Sequence, residues 1–399
     1  MRKAKREESI DKRPYFFCFI LVTFLFLSTN IGCATANQGK YDFITGISFS
    51  PDGKKILFAR SHVGLPSMIH VYNLETGELS AYQSPPGEQW DFARYSFDGK
   101  HIVFITVPLL IEYRNDPAHS QITVQDLANM QIAIMDSDGK NVRKITNTTG
   151  FKVYPSFSHS GRKIIFARAD VIRTSGRTPA GDYDVYEVDV ETGRETRLTR
   201  FKFFQMSNPY YFPDDSTFIF WAEHPRSYPG ISDVHRGMDS KSVREIRDKI
   251  DKINEELQSK YQKNSIYVMQ ANEKELKPYL VMPEYQKKFK MYVAGSEYSK
   301  WPSLSADGSV LIFVAHGYKS DGSATGEQLY QYSSDGNHRC ITHLPADIWD
   351  EAVSPNGELV AVIHSHAPSI YNIVIYQIKD GTSRDITLPD QPARIINSR

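Results

Sequence analysis

The chain has 399 residues, and its 47 Lys plus Arg balance its 47 Asp plus Glu. Without residues 1–36, which have the character of an export signal, these numbers fall to 41 and 44, a balance near −3. This balance excludes a typical nucleic-acid-binding protein, which needs a clear positive excess, while the 40% apolar content is enough for one closed core.

The N-terminus is predicted to be a signal peptide over residues 1–36. Six basic residues precede an apolar run of twelve residues at 16–27. A bilayer-spanning helix takes about 20 residues, so this run suits a cleaved export signal. Two cleavage sites compete. Ile31-Gly32-Cys33 resembles a bacterial lipobox, with cleavage before Cys33 and lipidation of that residue, whereas Ala34-Thr35-Ala36 offers ordinary cleavage after Ala36.

The lipobox reading predicts a location as well as a modification. A lipid on Cys33 would place the protein in the periplasm as an outer-membrane-anchored lipoprotein, because Ala34 rather than Asp follows the cysteine. The lipid would then be the protein's contact with the membrane.

One short phrase recurs six times in the rest of the chain. The copies are Ser50-Pro51-Asp52-Gly53, Ser96-Phe97-Asp98-Gly99, Ser158-His159-Ser160-Gly161, Phe212-Pro213-Asp214-Asp215, Ser305-Ala306-Asp307-Gly308 and Ser354-Pro355-Asn356-Gly357. Each copy is followed by a run of β-branched and aromatic residues, such as Ile56-Leu57-Phe58-Ala59. This pattern predicts a tight turn before a buried strand, repeated as one supersecondary unit.

Each unit continues with a second strand pair. A β-type segment is followed by an acidic turn, such as Glu191-Thr192-Gly193, and then by a short strand. Four strands per unit with tight turns are typical of a propeller blade. We therefore predict an all-β fold, a six-bladed β-propeller over residues 37–399, with all six repeat turns on one face. The tail at 393–396 is a candidate for pairing at a sheet edge.

The repeated Ser-Pro-Asp-Gly phrase resembles the propeller repeats of the TolB family, over roughly residues 41–388. The resemblance implies a bacterial envelope protein whose propeller holds another protein. TolB carries an α/β domain ahead of its propeller, and the first repeat here begins soon after the signal, so we expect the propeller alone. The repeats are also similar to the propeller domains of prolyl oligopeptidase-type enzymes.

The connections between the second and third strands of the blades vary widely in length, and the longest is an insertion at 223–265 in blade four. Because strand direction alternates, these connections emerge on one face, here called the loop-rich face. Variable loops on a rigid frame often carry binding residues, and neutral surface padding is the alternative.

The blade-four insertion is predicted to contain a helix at 243–257. Apolar residues recur there at intervals of three and four, which gives one narrow apolar stripe on a charged helix. The stripe would dock on the propeller itself, build a homodimer or grip a partner protein.

Two sets of residues are candidates for function on the loop-rich face. The ends of the second strands carry histidines that suit a divalent metal, and they are His62, His224, His316, His364 and His366. This set of histidines resembles the metal site of propeller-type oligogalacturonate lyases, although their ligand pattern cannot be matched residue by residue. A solvated polar surface is the alternative. Candidate binding residues are Arg60, Arg168 and Asp170 at the same strand ends, with Trp90, Trp301 and Trp349 in the connections leading into the first strands. Aromatic side chains enrich binding hot spots, but they also wedge between blades.

From these features we expect a non-enzymatic protein-binding propeller of the bacterial cell envelope, which uses its loop-rich face and needs no cofactor. The alternative is a metal-dependent polysaccharide lyase or hydrolase with its site at the propeller mouth.

Overall fold

The computed structural model describes residues 42–62, 67–108, 127–171, 180–203, 205–223, 264–271, 273, 277–278, 299–318, 324–333, 338–342, 347–367, 370–388 and 392–396. Within these ranges, 25 strands form six sheets, one for each repeat unit. The predicted six-bladed, all-β propeller is therefore confirmed. The helix predicted at 243–257 lies outside the described residues.

Each blade consists of four consecutive antiparallel strands in chain order. Blade one contains β1 (Asp42–Phe49), β2 (Lys55–His62), β3 (Met68–Asn73) and β4 (Leu79–Gln83). Blade two contains β5 (Glu88–Tyr95), β6 (His101–Pro108), β7 (Gln131–Asp136) and β8 (Arg143–Lys144). Blade three contains β9 (Phe151–Phe157), β10 (Lys163–Val171), β11 (Ala180–Asp189) and β12 (Glu195–Arg197).

The second half of the ring repeats the pattern. Blade four contains β13 (Met206–Tyr211), β14 (Thr217–Glu223), β15 (Asn264–Gln270) and β16 (Lys277–Pro278). Blade five contains β17 (Ser299–Leu304), β18 (Val310–Tyr318), β19 (Ala324–Ser333) and β20 (His338–Cys340). Blade six contains β21 (Asp347–Val353), β22 (Leu359–Ala367), β23 (Ile370–Gln377) and β24 (Ser383–Ile386). The first strand of each blade packs against the first strands of its neighbours, so these six strands surround the axis.

The repeated phrase forms the turn between the first and second strands, as predicted. In blade one the Gly53 amide donates to the Ser50 carbonyl at 2.8 Å, and the Lys55 amide donates to Ser50 Oγ at 3.0 Å. Gly53 has φ 70°, and Asp215 takes the same place in blade four with φ 52°. The position requires a left-handed backbone, which explains the recurring glycine.

The tail closes the ring on the outside of blade one. The strand β25 (Arg394–Ile395) pairs in parallel with β4. The Ala393 amide donates to the Leu79 carbonyl and the Ile396 amide to the Ala81 carbonyl, each at 2.8 Å. Blade one thus gains a fifth strand from the C-terminal end of the chain, which confirms the predicted edge pairing.

The blades meet through apolar side chains. One cluster joins β1 and β2 to blade six through residues such as Ile47, Phe58 and Ile363. Another cluster joins blades five and six, and Trp301 packs on it. Among the described residues, no helix is long and apolar enough to cross a bilayer.

Candidate functional site

The six first strands each place one side chain around the axis, two residues before the repeat turn. These side chains are Ser48, Arg94, Ser156, Tyr210, Ser303 and Ala352, and all of them line a cavity of about 130 Å³. We call this cavity the axial cavity. Arg94 is the one charged residue among the described residues of its lining. The site therefore combines a guanidinium with several hydroxyl groups in a small volume.

The axial cavity opens toward the face that carries the repeat turns. Its lining residues become more exposed in that direction, from Arg94, which is 3% exposed, to the turn residue Pro51, which is exposed. We call the turn residues at its mouth the rim, and they are Pro51, Phe97, Ala306 and Pro355. The described cavity therefore lies on the face opposite to the loop-rich face.

The rim is held in place by a histidine from blade three. The His159 ring stacks on Phe97 with centroids 3.7 Å apart, and its Nε2 lies 2.9 Å from the Ala306 carbonyl oxygen. Burial lowers the pKa of His159, so at neutral pH the ring is neutral and donates to that carbonyl from Nε2. Its backbone amide also donates to Asp215 Oδ1 at 2.6 Å. These contacts tie blades two, three, four and five together at the mouth.

Arg94 lies at the inner end of the axial cavity. Its Nη2 donates to Asn208 Oδ1 at 3.2 Å, and its guanidinium carbon lies 4.5 Å from the centroid of the Tyr210 ring. Its Nε and Nη1 are buried and have no hydrogen-bond acceptor among the described residues. A cation over an aromatic face gains some stabilisation, but these two nitrogens keep unused donor capacity.

Asn208 links Arg94 to a buried carboxylate of blade six. Asn208 Nδ2 donates to Asp350 Oδ1 at 3.4 Å, and the Asp350 carboxylate also accepts the amides of Ile47 at 3.4 Å and Glu351 at 3.0 Å. Burial raises the pKa of Asp350, and the charge of Arg94 opposes that rise. Blades two, four and six thus share one polar network across the axis.

A second buried carboxylate belongs to the interface of blades one and two. Asp91 accepts hydrogen bonds from Thr45 Oγ1 at 2.6 Å and from Gln89 Nε2 at 2.7 Å. Burial nevertheless raises the pKa of Asp91 to about 6. Neutral donors offset only part of the cost of removing a carboxylate from water.

The predicted metal-site histidines are described to different extents. His364 is buried in β22, and its Nε2 lies 3.3 Å from the Tyr376 hydroxyl, whose ring stacks on the imidazole. The structure gives only backbone positions for His62, His316 and His366, in β2, β18 and β22. His224 lies outside the described residues. No group of three or more candidate metal ligands occurs among the described side chains.

The predicted aromatic binding residues lie inside the first strands, so their predicted placement in the connections is wrong. Trp90 is in β5, Trp301 in β17 and Trp349 in β21. These strands contain β-bulges, which the alternating pattern did not reveal. Trp90 is 1% exposed and packs on Phe104, while Trp349 contacts Tyr371 edge-on at 5.0 Å.

The remaining predicted binding residues lie at the ends of second strands. Arg60 is buried in β2. Arg168 donates to Glu195 Oε2 at 3.0 Å and to the Thr149 carbonyl at 2.7 Å, which ties it into blade three. Asp170 lies in β10, and its side chain is outside what the structure describes.

Sequence reasoning missed the lining of the axial cavity. An alignment of the six repeats on their turns does indicate the unusual position of Arg94, because the residue two positions before the turn is serine in three units and arginine in only one.

Comparison with known proteins supports the architecture. No family model and no curated protein sequence matches the chain. The structure of TolB from Acinetobacter baumannii matches with a TM-score of 0.51 and 15% identity, over 85% of this chain and 62% of that one. The fold is a TolB-type β-propeller. The chain thus spans less than two thirds of that TolB.

Two further matches have lower scores. A putative TolB from Agrobacterium tumefaciens matches with a TM-score of 0.45 and 15% identity, over 79% of this chain and 87% of that one. An oligogalacturonate lyase in complex with manganese matches with a TM-score of 0.49 and 15% identity, over 86% and 77% of the two chains. Identities this low concern the fold and not the function.

Proposed function

We propose that this chain is a non-enzymatic binding propeller of the bacterial cell envelope, which holds a segment of a partner protein in its axial cavity. The observation that carries the proposal is the cavity itself, which is lined by residues from every blade. Small sites with a mostly apolar wall and a few placed polar groups are typical of ligand recognition.

The rigidity of the mouth supports binding by a preformed site. His159 connects the rim residues Phe97 and Ala306 from opposite sides of the mouth, and the repeat turns behind them are closed by internal hydrogen bonds. A site that is already ordered loses little conformational entropy when a partner enters. The apolar rim residues Pro51 and Pro355 offer contact surface around the entering segment.

The cellular location rests on the predicted export signal and on Cys33. A lipid on Cys33 would hold the propeller at the outer membrane, within reach of other envelope proteins. Recognition on the loop-rich face remains a second surface of the same proposal, and most of its longest insertion, 223–265, lies outside the described residues.

Site-specific photocrosslinking in cells tests the proposal. A benzoylphenylalanine at Pro51, on the rim, should crosslink to one discrete envelope protein. Val142 is the matched control, because it is 46% exposed and lies in the turn between β7 and β8, on the same face but far from the axis. A crosslink at both positions would indicate contact that is not specific to the axis and would contradict the proposal.

A cavity-filling variant sharpens the test. Ala352→Met places a larger apolar side chain in the ring of lining residues without changing charge. The Pro51 crosslink should then disappear, and the purified partner, once identified by mass spectrometry, should bind the variant at least about tenfold more weakly in calorimetry, or about 1.4 kcal/mol. An unchanged crosslink and affinity would show that the partner does not enter the cavity.

A further inference from the structure

The geometry points to a more specific role for Arg94: the axial cavity is a carboxylate-binding site, and Arg94 is the residue that pairs with the carboxylate. This inference rests on the proposed function, because it names the chemical group that the bound segment carries. It begins from a side chain that is 3% exposed yet lines a cavity.

The hydrogen bonding of Arg94 is incomplete on its own. The guanidinium donates to Asn208 through Nη2, whereas Nε and Nη1 have no acceptor among the described residues. Buried charged donors without acceptors are costly, and proteins rarely retain them without a reason. Both nitrogens are buried from the cavity as well, so the guanidinium must turn toward an entering acceptor before pairing with it removes this cost.

The protein's own buried carboxylates leave this position open. Asp350 is within electrostatic range of Arg94, but its oxygens accept from Asn208 Nδ2 and from two backbone amides. Neither Asp350 nor Glu351, which is also buried, is among the residues that line the cavity. Asp91 is bound by Thr45 and Gln89 at the interface with blade one. The guanidinium is therefore the one charged group in the described lining, and the charges of Asp350 and Glu351 act on the same cavity through Tyr210, whose pKa is raised by burial and by these charges.

The size and lining of the cavity favour a carboxylate on a short aliphatic stem. A volume of about 130 Å³ accommodates a few non-hydrogen atoms, and one guanidinium matches one negative charge through charge-assisted hydrogen bonds. Ser156 stands in the same ring as Arg94 and offers a hydroxyl group, while the rim residue Phe97 offers an apolar contact for the stem. The Ser303 hydroxyl in that ring already accepts the Val353 amide at 3.0 Å. A glutamate side chain of a partner and a small free dicarboxylate share this chemistry.

Calorimetry with defined probes tests the inference on the mature full-length protein. Glutarate and the blocked peptide acetyl-Ala-Glu-Ala-amide carry the carboxylate as a free acid and as a side chain. Glutaramide and acetyl-Ala-Gln-Ala-amide are their neutral counterparts. We expect one bound carboxylate per chain, with either or both acidic probes, and at least about tenfold weaker binding of the neutral ones. Binding of glutarate identifies a free acid as a sufficient ligand, and binding of the peptide alone identifies a polypeptide source.

Two variants connect the binding to the site. Arg94→Met keeps most of the side-chain volume and removes the charge, and it should weaken binding of the acidic probe at least about tenfold. It should also lower the melting temperature, because Asn208 Oδ1 loses its donor and the buried Asp350 loses a positive charge that favours its ionised form. Ala352→Met narrows the cavity, leaves Arg94 in place, and should weaken the same binding. If Arg94→Met unfolds the protein, Ala352→Met alone decides.

The outcomes separate this inference from the proposed function. Absence of binding by both acidic probes, equal binding of acidic and neutral probes, or unchanged binding by folded Arg94→Met would each overturn the carboxylate site. If the Pro51 crosslink nevertheless persists in Arg94→Met and disappears in Ala352→Met, the binding propeller stands and only the carboxylate assignment fails.

Discussion

Asp91 should make the stability of the propeller depend on pH in a direction opposite to that of most carboxylates. Its carboxyl group is 8% exposed, and burial raises its pKa from 3.8 to about 6. Between these values the unfolded chain loses the proton while the folded chain keeps it. The folded state therefore binds more protons, and the free energy of unfolding falls as pH rises through this window. At about 1.4 kcal/mol per pKa unit, the loss from Asp91 is about 3 kcal/mol.

Urea unfolding of the wild type and of Asp91→Asn at intervals from pH 4 to 7 measures this contribution. The difference in unfolding free energy should move by about 3 kcal/mol in favour of the variant as pH rises, and it should be constant above the folded-state pKa. Asp52→Asn is the matched control, because hydrogen bonds from Ser50 Oγ and the Lys54 amide lower the pKa of Asp52. Asp52 contributes stability that is lost as pH falls. The raised pKa of Asp91 would be refuted if the difference in unfolding free energy between the wild type and Asp91→Asn did not change with pH, or if it changed in the same direction as for Asp52→Asn.

Three other predictions concern the ring and its anchor. Gly46→Ala should reduce the unfolding free energy by about 3 kcal/mol or more in the same urea assay, because the added Cβ would lie 2.5 Å from a backbone Cα of blade two. Gly53 has a similar φ and open space around it, so Gly53→Ala should cost only about 1 kcal/mol. Equal costs would contradict the close approach. Ile396→Ser should lower the melting temperature, since Ile396 packs partly buried on a core cluster beside β4, and an unchanged temperature would show that the tail is not needed for closure. Cys33→Ser should release the protein into the soluble periplasmic fraction on cell fractionation, and a wild-type N-terminus at Asn37 would instead indicate ordinary cleavage.

The fold was predictable because the turn chemistry is local. A left-handed position such as Gly53, with Ser50 as its acceptor, needs only neighbouring residues to specify it. Six copies of this turn then determine the number of blades. The bulges were not predictable in this way, because residues with positive φ at those positions include Phe92, Tyr154 and Trp301, which are not turn residues. Contacts between blades, such as Phe92 with Tyr154 at 4.8 Å, hold these backbones in place.

The candidate site was less predictable because equivalent positions in different repeats come together only on the axis. His364 was a reasonable metal ligand by its place at a strand end, yet the structure directs it toward Tyr376 within blade six. As a single arginine in a strand, Arg94 carries no local pattern that predicts a binding role. Its role depends on its contact with Asn208, which is 114 residues away in the sequence, and on the contact of Asn208 with Asp350, a further 142 residues away.

The axis of a repeat protein is where departures from the repeat acquire meaning. The apolar positions of the blades can be similar in every unit, because neighbouring blades pack against each other with similar geometry around the ring. A channel lined by six identical side chains would have no preferred ligand orientation, so a specific site requires that the units differ there. In this chain the ring of lining residues contains three serines, one tyrosine, one alanine and one arginine. The residues that recur in every repeat specify the fold, and a position where one repeat departs from the others is a candidate for function. Arg94 is such a departure, and its two nitrogens without acceptors are the physical observation that points to a ligand.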